Sequence, residues 1–149
     1  MINDNLKLRG DVALVLKDKN GNIKETREIN NLVVTAGLTF ICSRMAAASA
    51  GVMSHMALGS STTSAAAGQT DLVSILGSRE ALDSTSASAN TIVYVSSFEA
   101  GEGTGAVTEA GVFNAASSGT MLCRTVFAVV NKQADDTMSV TWTITLSAS

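Results

Sequence analysis

The fold of this chain is decided by the stretch Ala106-Val-Thr-Glu-Ala-Gly-Val-Phe-Asn-Ala-Ala-Ser-Ser-Gly-Thr-Met-Leu-Cys-Arg-Thr-Val-Phe-Ala-Val-Val130. Two β-prone runs flank Asn114-Ala-Ala-Ser-Ser-Gly119, whose small polar residues are typical of a turn. If Asn114 faces Gly119, three pairs lie opposite each other across the hairpin: Val112 with Met121, Ala110 with Cys123, and Glu109 with Arg124. A one-residue shift would move every side chain to the other face and separate the charged pair, so we expect the register to be specified locally.

The C-terminal strand has the clearest periodicity in the chain. Met138-Ser-Val-Thr-Trp-Thr-Ile-Thr-Leu146 alternates apolar residues with Ser and Thr, which is typical of a strand with one buried face. Thr91 to Phe98 alternates in the same way. We therefore expect a core built from strand residues, which include Phe127, Val140, Trp142, Ile144 and Leu146.

The N-terminal third predicts one hairpin and one helix. Leu8 to Ile29 reads as a hairpin around Asn20-Gly21, with either a two-residue turn or a longer loop that includes Asp18 and Lys19. A helix is predicted from Val34 to about Ala48, with Thr35 as the N-cap. Its apolar stripe consists of Leu38, Ile41, Cys42 and Met45.

The middle of the chain is rich in Ser, Thr, Ala and Gly. His55 to Gly59 predicts a short strand, and Ser60 to Gly68 a loop. Gln69 to Leu76 fits one or two helical turns, and Arg79 to Leu82 begins another strand before a second loop, Asp83 to Ala89. Each loop fits either an exposed surface or a contact with an adjacent subunit. The candidate interface residues on these loops are Ser61, Thr62, Thr63 and Ser86.

Together these elements predict a mainly β fold, an antiparallel β-sandwich with one α-helix at about residues 35–48. The 149 residues are expected to form a single domain. An N-terminal arm and hairpin would occupy residues 1–30, the helix and loops residues 31–89, and the C-terminal antiparallel strands residues 90–149. Charged residues are only 15% of the chain and proline is absent, so we expect a neighbouring subunit to cover some strand edges.

Composition argues against several classes of partner. The net charge of −3 and the lack of a basic run disfavour nucleic-acid binding. No apolar run is long enough to cross a bilayer, and the N-terminus does not resemble a signal peptide. Cys42 and Cys123 are isolated, so we expect two reduced, buried thiols rather than a disulfide.

No motif indicates catalysis. Gly101-Glu-Gly-Thr-Gly105 lacks the pattern and the following helix of a phosphate-binding loop, so it predicts a turn or bulge. His55 is the only histidine, and both a packed position and an interface position fit it. The acidic residues near position 100 do not follow the EF-hand pattern. We therefore expect no catalytic residue, no cofactor and no metal, and we interpret Glu109 with Arg124 as a structural pair.

Several blocks of sequence resemble one family. They are Asn30-Asn-Leu-Val-Val-Thr-Ala-Gly37, Ser54-His-Met-Ala-Leu-Gly-Ser-Ser-Thr-Thr63, Gly101-Glu-Gly-Thr-Gly-Ala-Val-Thr-Glu-Ala-Gly-Val-Phe-Asn114, Met121-Leu-Cys-Arg-Thr-Val-Phe127 and the Trp142 strand. In this order the blocks resemble small virion structural proteins of tailed bacteriophages, a group that includes capsid decoration (cement) proteins and tail-fibre or baseplate proteins.

The resemblance implies a binding function in a virion assembled in the bacterial host cytoplasm. The first expectation is a capsid decoration protein on the exterior of the head, a homotrimer that bridges major capsid subunits. A tail fibre, baseplate or adaptor component that contacts tail proteins is the alternative. A virion-displayed carbohydrate-binding module is the second alternative, although Trp142, the best stacking residue, is expected to face the core.

Overall fold

The computed structural model describes residues 5–46 and 50–148, which form ten strands and one helix. The strands are β1 (Leu6–Lys17), β2 (Ile23–Asn30), β3 (Leu32–Val33), β4 (His55–Gly59), β5 (Glu80–Ala81), β6 (Ser84–Ser88), β7 (Thr91–Phe98), β8 (Gly105–Phe113), β9 (Met121–Lys132) and β10 (Thr137–Ala148). The helix α1 spans Thr35–Met45. The prediction of a mainly β, antiparallel fold with one helix is confirmed.

The strands form two five-stranded antiparallel sheets. The first sheet has the order β2-β1-β10-β7-β6, and the second has the order β3-β9-β8-β4-β5. Apolar side chains from both sheets meet in one core. Alternate residues of β1 and β10 contribute to it, whereas β8 and β9 are buried over most of their length. The second sheet also packs the smaller cluster around Phe113 and Met121.

The core contains the residues that the periodicity indicated. Val140 and Trp142 are fully buried, and Ile144 and Phe127 are nearly so. Leu146 is half-buried and packs against the edge of the core, because β10 is reaching the end of the sheet there. The alternation of apolar and polar residues in β10 therefore correctly predicts which of its side chains are buried.

The hairpin of β8 and β9 has a different register from the predicted one. Val112 lies opposite Cys123, Ala110 opposite Thr125 and Glu109 opposite Val126. Each pairing is displaced by two residues because the turn extends to Thr120, whose N–H donates to Asn114 Oδ1 at 2.6 Å, and because the ladder contains a bulge beside Phe113. A displacement of two residues keeps every side chain on its predicted face.

The first hairpin takes the longer of the two turns. Its loop is Asp18 to Asn22, and the Asp18 carboxylate accepts hydrogen bonds from the backbone N–H groups of Asn20 and Asn22. Gly21 has a φ of 83°, which a residue without a side chain adopts at little cost. A bulge between Leu16 and Lys17 then sets Lys17 opposite Ile23.

The helix differs from the prediction in its cap and in its buried face. Val34 occupies the N-cap without a side-chain hydrogen bond, so the predicted N-cap Thr35 is instead the first helical residue. The helix ends at Met45, and the predicted end near residue 48 falls outside the described residues. The predicted stripe is wrong because Leu38, Cys42 and Met45 are all exposed, and the expectation of two buried thiols holds only for Cys123.

The helix turns a different face to the sheet because of Gly37. This glycine is the one fully buried residue of the helix, and an added Cβ would lie 2.1 Å from the carbonyl oxygen of Leu122. The helix and β9 therefore approach most closely where there is no side chain. Phe40 and Ile41 pack beside this contact, which leaves Leu38 on the solvent side.

Two predictions for the middle of the chain are wrong. Gln69 to Leu76 contains no helical turn, because its backbone bonds to the second sheet: Ser60 N–H donates to Ser74 O, and Leu76 N–H donates to Leu58 O. The predicted loop Asp83 to Ala89 contains β6, which pairs with β7 along its whole length. Small residues such as Ser and Ala are weak strand formers, so the segment becomes a strand because it pairs with β7 and not because of its own residues.

We predict that Gly37→Ala destabilises the protein by about 1–3 kcal/mol, because the new methyl group would force the helix away from β9. This cost exceeds the gain of at most about 1 kcal/mol that alanine brings to a helix. Chemical denaturation measures the change in the free energy of unfolding. The control is Gly68→Ala, whose added Cβ has no neighbour within 4 Å and should be nearly neutral; equal effects of the two substitutions would contradict the close packing.

Candidate functional site: a surface loop held by a buried ion pair

Glu109 and Arg124 form an ion pair that is completely enclosed. Both side chains have 0% exposure. Arg124 Nε donates to Glu109 Oε2 at 2.9 Å, and Arg124 Nη2 lies 2.8 Å from the same oxygen. The two residues are diagonal neighbours across the β8–β9 ladder, so the two-residue displacement of the register still brings them together.

The Glu109 carboxylate also binds the backbone of a distant loop. Oε1 accepts hydrogen bonds from Ser74 N–H at 2.7 Å and Ser61 N–H at 3.3 Å, and Oε2 accepts one from Val73 N–H at 3.1 Å. Gly59 makes room for the carboxylate, since a Cβ at that position would lie 2.4 Å from Oε1. Charge-assisted hydrogen bonds of this kind compensate a carboxylate for its lost hydration.

Arg124 holds the middle of the same loop. Its Nη1 donates to Gln69 Oε1 at 3.0 Å, and that oxygen also accepts from Ala66 N–H at 3.0 Å. Thr108 Oγ1, next to Glu109 on β8, donates to Ser61 O at 2.8 Å. Residues 60–76, which we call the clasped loop, are thus bound near both ends and in the middle by neighbouring residues of β8 and β9.

The clasped loop displays apolar side chains to solvent. Val73 is 53% exposed and Ile75 is 45% exposed, although the backbone of Val73 is bound to the buried carboxylate. We call these two residues the apolar ridge. Beside it lies a shallow groove of about 320 Å³, whose opposite wall is the Ala116–Ser118 part of the β8–β9 turn.

Arg79 fixes the far wall of the groove. Its guanidinium lies 3.6 Å from the centre of the Phe113 ring and donates to the carbonyl oxygens of Ala115 and Ser118. It also lies 3.4 Å from Asp71 Oδ1, so the only opposite charges lining this groove neutralise each other. The surface around the ridge is therefore held by several polar contacts, and it is neutral and partly apolar.

The candidate interface residues from the sequence do not form one surface. Thr62 and Thr63 are exposed on the clasped loop, whereas Ser61 is half-buried and serves to anchor it. His55 lies at the opposite end of β4, half-buried, with Nδ1 2.8 Å from Ser54 Oγ. Ser86 is exposed in β6, at the edge of the other sheet.

Sequence reasoning missed the ridge residues Val73 and Ile75 and their neighbour Arg79. The sequence from Gln69 to Leu76 predicts one or two helical turns and gives no sign that Val73 and Ile75 are exposed. What decides between helical turns and an extended loop here is the binding of the loop backbone by Glu109 and Arg124. Both residues are distant in sequence, so no local pattern reveals these contacts. The exposure of the ridge follows from these long-range hydrogen bonds.

A second polar cluster closes the turn between β9 and β10. Lys132 is buried, and its Nζ donates to the carbonyl oxygens of Glu99 at 2.9 Å and Asp136 at 2.7 Å. Burial lowers the pKa of Lys132, since removal from water disfavours its charged form. The hydrogen bond from Lys24 Nζ, at 2.7 Å, lowers the pKa of Asp136, and the N–H of Gln133 adds to this effect.

The requirements of metal sites, membrane spans and aromatic stacking sites can be compared with the described residues. In residues 5–46 and 50–148, no group of three or more His, Cys, Asp or Glu side chains is arranged to hold a metal ion. The same residues contain no helix long and apolar enough to cross a membrane. Each of the six aromatic side chains is buried or half-buried, so none provides an open stacking platform.

We predict that Glu109→Gln destabilises the protein by about 3–5 kcal/mol, because it leaves Arg124 buried without a counter-charge. Replacing both residues, in Glu109→Leu with Arg124→Leu, should cost less than Glu109→Gln alone. The free energy of unfolding in denaturant measures both. The control is Asp11→Asn, which removes an exposed ion pair with Arg9 and should cost no more than about 1 kcal/mol. Similar costs for Glu109→Gln and Asp11→Asn would contradict the anchoring role.

We predict that Lys24→Met weakens the fold most above pH 4. Because the pKa of Asp136 is lower in the folded protein than its ordinary value of 3.8, its stabilisation is present above that value and is lost as the pH falls through the folded pKa. The difference in unfolding free energy between the wild type and Lys24→Met should therefore shrink between pH 4 and pH 2. Lys7→Met, at an exposed position, serves as the control. A difference that stays constant with pH would count against the coupling.

The comparisons with known proteins give no further guide to this surface. No protein-family model, curated protein or solved structure matches the chain. The interpretation of the clasped loop and its ridge rests on their geometry and on the sequence blocks described above.

Proposed function

We propose that this chain is a structural protein of a tailed-phage virion, and that it acts as a capsid decoration protein on the exterior of the head. Its partners in this proposal are the major capsid protein and other copies of itself. The function is binding: contacts that bridge neighbouring capsid subunits oppose the outward pressure of packaged DNA. The observation that carries the proposal is the exposed, partly apolar surface whose backbone is bound by Glu109 and Arg124.

The energetics of the ion pair support an interaction surface. Burying two charges costs several kcal/mol per ion before their attraction is counted, and apolar residues of similar size often stabilise a core as well or better. The stability of the core alone therefore does not explain the ion pair, and we look for its role in the hydrogen bonds that it makes to the loop. Here it binds the backbone of a long loop at several points, and a loop that is already ordered loses less conformational entropy on binding.

The composition of the surface indicates a protein partner. Val73 and Ile75 are exposed beside a groove, and the neighbouring charges of Asp71 and Arg79 are paired with each other. A neutral, partly apolar patch suits the similarly neutral core of a protein interface better than nucleic acid. The burial of Trp142 and Tyr94 disfavours the carbohydrate-binding alternative, which needs an exposed aromatic ring.

The location of the protein in the particle is the first test. We expect mass spectrometry of purified, tail-less heads of the encoding phage to detect the chain in a reproducible ratio to the major capsid protein. Detection only in tail fractions would overturn the head location in favour of a tail component. Absence from both fractions would overturn the virion proposal itself.

The second test addresses the apolar ridge. We predict that Val73→Thr with Ile75→Thr weakens binding to purified heads about tenfold or more, a loss of roughly 1.4 kcal/mol, because both side chains stay β-branched but lose apolar surface, and Ile75 also becomes shorter. Co-sedimentation with heads that lack the protein measures the affinity. The matched control is Val129→Thr, which alters a valine of similar exposure on β9. If control and ridge variants bind alike, the ridge is not the binding surface.

A further inference from the structure

β6 is the one long outer strand among the described residues that lacks protection against pairing with another chain. The other outer strand of its sheet, β2, carries Lys24, Glu25, Arg27 and Glu28, and its ladder with β1 contains a bulge. The outer strands of the second sheet, β3 and β5, have two residues each. Charges, bulges and short length are the usual means by which proteins prevent edge-to-edge association.

β6 has no charge and no bulge, and at five residues it is longer than β3 and β5. Its sequence, Ser84-Thr-Ser-Ala-Ser88, contains no charge, and all five residues are exposed. It pairs with β7 without interruption from Ser84 opposite Val95 to Ser88 opposite Thr91, so its backbone is regular. A regular strand with one unpaired side presents a row of N–H and C=O groups ready to accept another strand.

We infer that β6 pairs antiparallel with β6 of a second copy of this chain, about a two-fold axis at Ser86. The two first sheets would then join into one continuous sheet. In this register Ser86 faces Ser86, Ser84 faces Ser88, and Thr85 faces Ala87 of the other copy. The inference goes beyond the proposed function, because it depends only on the β6 edge and not on any virion. It differs from the homotrimer that the sequence resemblance implies, because two-fold pairing of β6 gives a dimer.

The charges and the side-chain sizes along β6 favour a second copy of this chain as the partner of its unpaired edge. The nearest charge in sequence is Asp83, and antiparallel pairing about Ser86 sets it opposite Ala89 of the other copy. Parallel pairing in register would set the two Asp83 side chains next to each other, which is destabilising. The small side chains fit their own copies without steric conflict, and β6 offers no charge that would select a charged foreign strand.

The faces of β6 also fit this arrangement. Thr85 and Ala87 lie opposite Tyr94 and Ile92, on the side of the sheet that faces the core, whereas Ser86 lies on the outer side. In the joined sheet Ala87 of each copy gains a neighbour on the core side. The paired segment is only five residues long, so we expect a weak, concentration-dependent dimer rather than an obligate one.

Analytical ultracentrifugation of the purified full chain tests the inference, from about 10 µM to about 1 mM. We expect a monomer–dimer equilibrium. Ser86→Lys and Ser86→Glu should each lower the dimer fraction at the top of this range about tenfold, because like charges then face each other at the axis. A mixture of the two variants should restore the dimer, since opposite charges meet.

The control is Thr26→Lys, an equivalent exposed change on the protected edge β2, which should leave the equilibrium unchanged. Circular dichroism checks that every variant remains folded. A chain that stays monomeric up to about 1 mM would overturn the inference. A trimer, or a dimer that is indifferent to both Ser86 substitutions or is not restored by mixing them, would also overturn it.

Discussion

The buried ion pair of Glu109 and Arg124 is the constraint on which the distinctive part of this structure depends. It joins β8 to β9 and, through the carboxylate and the guanidinium, joins both strands to residues 60–76. Leu72 and Leu76 anchor the second half of that loop by burial, whereas residues 60–69 contain no large apolar side chain. The hydrogen bonds to the two charged groups are directional and fix the loop backbone more tightly than apolar contacts do.

The strands could be predicted from the sequence because their periodicity is strong. The alternation from Met138 to Leu146 indicated the strand and its buried face, and the alternation from Thr91 to Phe98 did the same for β7. Glu109 and Arg124 could be paired from the sequence even though the assumed turn was one residue too short, because a two-residue displacement preserves the face of each side chain. Local sequence patterns were sufficient to predict strands and hairpins, because these depend on residues that are close together in the sequence.

Contacts between distant segments could not be predicted in this way. The helix was oriented by its apolar spacing, but the close approach of Gly37 to the backbone of Leu122 decides the face that is buried. The prediction of helical turns for Gln69 to Leu76 is wrong because the carboxylate that binds this backbone belongs to a residue 35 positions from Ser74 along the chain. The strand β6 was missed because its small residues favour a loop until β7 supplies a partner.

We infer that the ion pair makes residues 60–76 as rigid as the sheet below them. Native-state hydrogen exchange at the amides of Val73 and Ser74 measures this, because both amides donate to the Glu109 carboxylate. We expect these two amides to exchange only through global unfolding, with the same free energy of opening as core amides of β9. Exchange through a local opening of much lower free energy would contradict it.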